Sequence, residues 1–204
     1  MQDVKEKKEE KVFTINADKL SKKLAEMSDK EVEIKGATIN DALCNYSYEL
    51  LKGKTKGDTL SRKGAHIVHD DLQITFDNLN VFLAHLDDAY TGNKNTTPLK
   101  ELEQESETEK YYVTGFSISG VEENRAVILS GWKEVSEGVI KFQSPKVKYS
   151  GSYLYLSELK ERVQNAIDEV EKYMGGKTAP QEDPNQVHMD FASEDAAFEK
   201  AKVE

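Results

Sequence analysis

One cysteine, four prolines and one tryptophan in 204 residues leave this chain without several common devices for stabilising or equipping a small protein. A single thiol, Cys44, excludes an intramolecular disulfide and any cluster built on several thiolates, so stability has to come from a packed apolar core. No run approaches the ~18 consecutive apolar residues of a membrane-crossing helix. The opening MQDVKEKKEE is charged where a secretory leader is apolar, so the cytoplasm is the expected compartment. Nucleophile motifs are missing too: Ser117, Ser119 and Ser130 lack a G-x-S-x-G setting. The fragment Gly53-Lys54-Thr55 is not a phosphate loop, because Tyr48 stands where that motif needs its first glycine. No catalytic residue and no cofactor is therefore expected.

What the chain has is charge and β-forming residues. Hydrophobic residues make up 37% and charged residues 32%, with 38 acids against 28 bases. The clearest strands lie in YYVTGFSIS, RAVILSGW and GVIKFQ, which are β-branched and aromatic-rich and are separated by short polar loops. They predict an antiparallel meander that Pro145 ends, with a short edge strand over 146–149. A long helix follows, starting near Ser157 and ending at Gly175 in a left-handed turn. Its apolar stripe is Leu156, Leu159, Val163, Ile167, Val170 and Met174, and the meander is the nearest surface to cover it.

Residues 1–11 read as a disordered lead and 12–90 as a mostly helical region. Short strands are expected at 12–15 and 32–34, and a brief helix after Asp18. Thr38 with Asp41 resembles a capping box and predicts a helix through Lys52, with the face Ile39, Leu43, Tyr46, Leu50 and Leu51. A second helix over 70–90 carries Val68, Leu72, Phe76, Leu79, Leu83, Leu86 and Tyr90 at near-heptad spacing. Pairing of the two as a hairpin is expected, and self-association through the 70–90 stripe is the competing use. Glu101, Glu103, Glu105, Glu107 and Glu109 recur at every second position, which predicts a solvated acidic linker over 91–109. Residues 110–176 then hold the meander and its helix, and 177–204 a disordered acidic tail. The fold class expected is α+β, a helix hairpin followed by a meander packed by one long helix.

Two clusters invite a functional reading. Tyr112, Phe116 and Trp132 lie among Lys133, Lys141, Lys146 and Lys148, a composition that stacks bases and neutralises phosphates of single-stranded nucleic acid. The loop bearing Lys54, Lys56, Arg62 and Lys63 adds a second basic patch. The other cluster is His66, His69 and Asp70. Its His-Asp pair resembles half the signature of HD-type phosphohydrolases, which place their remaining ligands tens of residues away, whereas His66 is three positions upstream. Helix-start residues complementing the helix dipole are the expected role, with a metal-dependent hydrolase as the alternative.

The run YYVTGFSISG, then VILSGWKE, then ELKERVQNAIDEVEKYM closed by Gly-Gly-Lys, resembles uncharacterised small proteins carried by phages and mobile elements of gut bacteria. The resemblance covers about a third of the chain and implies an accessory binder in replication or recombination. The tail, with Phe191 and Phe198 among acids, is similar to partner-recruiting tails of single-stranded DNA-binding proteins. Those end in phenylalanine, while this chain ends in AKVE. The expectation is an accessory protein that binds single-stranded DNA, with a protein partner at the tail. An assembly protein is the alternative.

Overall fold

Asp41 and Ala42 adopt φ of 49° and 61°, a pair of left-handed residues that no helix accommodates. They form the two-residue loop of a hairpin between β1 (Val32–Asn40) and β2 (Leu43–Leu50), closed by the register pair Asn40 and Leu43. Positive φ at both central residues is the hairpin geometry whose twist matches that of the flanking strands. The helix expected over 38–52 is thus absent. The deciding pattern is the strict alternation of Cys44, Tyr46 and Tyr48 with Asn45, Ser47 and Glu49, which gives one buried and one polar face. Cys44 accordingly lies on a strand, fully buried, rather than on a helix.

The computed structural model describes residues 30–91, 98–121 and 124–180. The lead, the elements expected at 12–15 and after Asp18, and the tail phenylalanines Phe191 and Phe198 lie outside the described residues. Within them, β3 (Thr59–Arg62) pairs with β2, and β4 (Tyr111–Ser119), β5 (Ala126–Val135) and β6 (Gly138–Gln143) follow antiparallel. β1 also pairs with β4, joining Ala37 to Phe116, so one sheet runs in the order β3-β2-β1-β4-β5-β6. The short β7 (Val147–Lys148) adds to β5 beyond the end of β6. This mostly β architecture replaces the expected helix hairpin with a separate meander; the α+β content stands.

The buried apolar side chains of the helices lie on one side of that sheet. The stripe expected as one helix over 70–90 is broken into α1 (Asp70–Asp77) and α2 (Asn80–Leu86). The break exposes the carbonyl of Asn78, which accepts from Arg162 Nη1 at 2.7 Å, and it frees Asn80, whose Oδ1 accepts from the Val113 amide at 2.7 Å. A helix interrupted there can lay both halves on the twisted sheet. Leu72, Phe76, Leu79 and Leu83 are at most 1% exposed, with Phe76 against Phe116 at a ring separation of 5.7 Å. The stripe is core, and its neighbours are the sheet and the C-terminal helix rather than a hairpin mate or a second chain.

Within the acidic stretch, α3 (Leu99–Leu102) and a 3₁₀ turn (Thr108–Lys110) lead into β4. Leu102 is fully buried. The Tyr90 hydroxyl donates to Glu105 Oε2 at 2.5 Å, and Tyr111 donates to Asp87 Oδ2 at 2.7 Å. α4 (Leu156–Met174) buries Leu159, Val163, Ala166, Ile167, Val170 and Tyr173. Its left-handed terminator is Gly176, at φ 103°, and not Gly175, which stays right-handed at φ −77°. The Lys177 amide bonds Lys172 O and the Gly176 amide bonds Tyr173 O, the paired closure of a Schellman motif. Beyond it Thr178 bridges Val68, and the Ala179 amide donates to Ile67 O.

Candidate ligand-binding face

Side chains alternate between the two faces of a strand, so the register sorts the candidate residues. Phe116 and Lys133 point to the helix side. Phe116 is 3% exposed; Lys133 Nζ lies 4.7 Å from the Tyr111 ring centroid and 3.6 Å from Asp87 Oδ2. Tyr112, Trp132 and Lys141 point the other way, Tyr112 opposite Trp132 and Trp132 opposite Lys141 in one row across β4, β5 and β6. The two rings stack with centroids 4.0 Å apart and an interplanar angle of 18°. Tyr112 is exposed and Trp132 half-buried, and Lys141 is exposed beside them.

On the same side, nearer β3, a shallow groove of about 480 Å³ is lined by Thr38, Asn45, Ser47, Ser61, Lys63 and Ser117, among others. Two glycines keep its floor bare. A Cβ on Gly36 would sit 2.7 Å from Phe116 O, and one on Gly115 2.8 Å from Thr38 Oγ1, so the close approach of β1 to β4 admits no larger residue. Asn45 Oδ1 accepts from the Gly64 amide at 3.2 Å, which turns its amide nitrogen, with two donors, away from that bond. The expectation of a helix over 38–52 hides the groove, because Thr38, Asn45 and Ser47 fall within it; the polar half of the alternation 45–49 is the available signal.

Charge is distributed unevenly about this sheet. Glu33 on the helix-free side is neutralised by Lys35 at 2.7 Å and Arg125 at 2.9 Å, and Glu49 by the same Lys35 at 2.8 Å. Among the described residues Asp70, Asp88, Glu101 and Glu109 lie on the helices and the turns around them, while Glu134, exposed two residues from Trp132, shares the helix-free face.

The remaining candidates are dispersed. Lys54 and Lys56 sit in the exposed loop between β2 and β3, whereas Arg62, beside Tyr46, lines the groove together with Lys63. Lys146 and Lys148 are exposed at the far end of β5, with Lys148 roughly 20 Å from the Trp132 row at the usual strand rise. His69 caps α1, its Nδ1 accepting from the Asp71 amide at 3.2 Å. The His66 carbonyl accepts from the Tyr173 hydroxyl at 2.6 Å. Asp70 is exposed in the first turn of α1. Among the described residues no three His, Cys, Asp or Glu side chains converge as a metal site would require, and no helix is long and apolar enough to cross a membrane.

Comparison with protein-family models, with curated proteins and with solved structures found no match.

Proposed function

We propose that this protein is a non-enzymatic binding module whose helix-free sheet face takes single-stranded nucleic acid, in the setting of replication or recombination of a mobile element. The observation that carries the reading is the stacked Tyr112 and Trp132 pair, on the sheet face that carries no helix among the described residues, with Lys141 in register beside it. A base stacking on this aromatic pair gains roughly 1–3 kcal/mol, and Lys141 is beside the pair to meet the adjoining phosphate. The groove between Lys63 and Ser117 lies along the same face for the neighbouring nucleotides. Because few cations are available, binding is modest and its salt dependence shallow, a slope of about −0.7 in log K per phosphate neutralised.

Trp132 is the sole tryptophan, so its emission reports on the face directly. Titration with a single-stranded DNA oligomer at low salt is expected to quench it, with Tyr112→Ala and Lys141→Glu each weakening the effect and Lys54→Glu leaving it nearly unchanged. Unaltered emission at high oligomer concentration, with the thermal transition intact, would remove nucleic acid as the ligand of this face.

A further inference from the structure

Strand β6 ends the sheet. Among the described residues it pairs with β5 alone, which leaves the amides and carbonyls along its outer side as a template for another strand. Two devices that blunt such edges are missing from it: β6 holds no proline, and its register with β5 runs without a bulge from Gly138 to Gln143; Lys141 is the one charged side chain along the edge. It is also apolar where it is open, Val139 being 56% and Ile140 55% exposed.

We infer that β6 is a self-association edge, pairing antiparallel with β6 of a second copy about a two-fold axis at Ile140. The register follows from three constraints. Opposed residues must share a sheet face, so the axis passes through a residue and not between two. An axis at Lys141 sets two lysines directly opposite each other, which is destabilising. An axis at Val139 pairs only residues 138–140, because the chain turns away at Ser136 and Glu137, and an axis at Phe142 only 141–143, because β6 ends at Gln143. With the axis at Ile140, residues 138–142 of both strands pair.

In that register Ile140 meets its own copy on the helix side, and Gly138 faces Phe142 of the second chain. Val139 lies across from Lys141 of the second chain, so no like charges meet. A second copy fits this edge because its sequence is self-complementary under one axis. The two sheets become continuous, with the two β5 strands about 14 Å apart at normal strand spacing, and the rows bearing Trp132 fall on the same side. The inference rests on β6 alone and holds whatever the helix-free face binds.

A five-residue strand pair is a small interface, so the association is weak and concentration-dependent. Sedimentation of the full chain from micromolar to millimolar concentration is expected to show a monomer–dimer equilibrium that Ile140→Lys abolishes. Single cysteines give an independent reading that requires no loss of association, since Cys44 is fully buried. Directly opposed residues have Cα atoms ~4.5–5.5 Å apart, within disulfide range. Under a mild oxidant, Ile140→Cys is expected to cross-link into dimer at least tenfold faster than Val139→Cys or Lys141→Cys. A chain monomeric throughout, a dimer indifferent to Ile140→Lys, or faster cross-linking through position 139 or 141 would each overturn the inference.

Discussion

Replacing Ala42 with glycine tests the hairpin by the sign of its effect. Ala42 sits at φ 61° in the loop between β1 and β2, a conformation that costs an L-residue with a Cβ roughly 1–2 kcal/mol. Glycine relieves that strain but adds freedom to the unfolded chain, which takes back about 0.4–1 kcal/mol. The side chain is exposed, so no packing is lost. The net expectation for Ala42→Gly is a stabilisation of about 0.5–1 kcal/mol, or roughly 1–4 °C in Tm for a chain of this size. Were the same residue inside a helix, glycine would cost about 1 kcal/mol. Urea unfolding followed by circular dichroism resolves this difference, provided the slope of the transition is the same for both proteins. A lower midpoint for Ala42→Gly at unchanged slope would refute the left-handed loop and with it the pairing of β1 and β2.

Two further outcomes follow from the side-chain geometry. His69→Ala removes the cap of α1 and is expected to cost about 1 kcal/mol, with His69→Asn restoring most of it; a fall in bound metal rather than in stability would instead mark the His66, His69 and Asp70 cluster as a ligand set. Burial pushes the Cys44 thiol up to about 12, whereas in the unfolded chain it ionises near 8.5. The native state then holds the proton that the unfolded state releases, so stability is full below about pH 8.5 and falls as pH climbs toward 12. At pH 10 Cys44 alone lowers stability by about 1–2 kcal/mol. Tyr90, buried and bonded to Glu105, is also held up at about 12 and extends the decline. Urea midpoints measured from pH 7 to 10.5 should drop, and less steeply in Cys44→Ala; a flat profile contradicts the burial of both groups.

Local pattern was enough to locate β4, β5, β6 and the helix over 156–174, because the strands are rich in β-branched and aromatic residues, the helix carries one apolar stripe, and each is bounded by its own turn residues. Composition likewise excluded disulfides and thiolate metal clusters. What local pattern left open was decided by partners distant in sequence. Ile39, Leu43, Tyr46 and Leu50 satisfy a helical spacing while Cys44, Tyr46 and Tyr48 satisfy a strand one, and the loop Asp41-Ala42 lacks the glycine that advertises a hairpin. Pairing of β1 with β4, which buries Ala37 beside Phe116, makes the strand assignment the favourable one. The stripe over 70–90 reads as one helix until Asn80 is claimed by the Val113 amide and the Asn78 carbonyl by Arg162. The division of the aromatic and lysine residues was likewise tertiary: Tyr112, Trp132 and Lys141 share the open face, while Phe116 and Lys133 turn to the helices. Composition fixes how many such residues there are, but a one-residue difference in register decides which of them meet water.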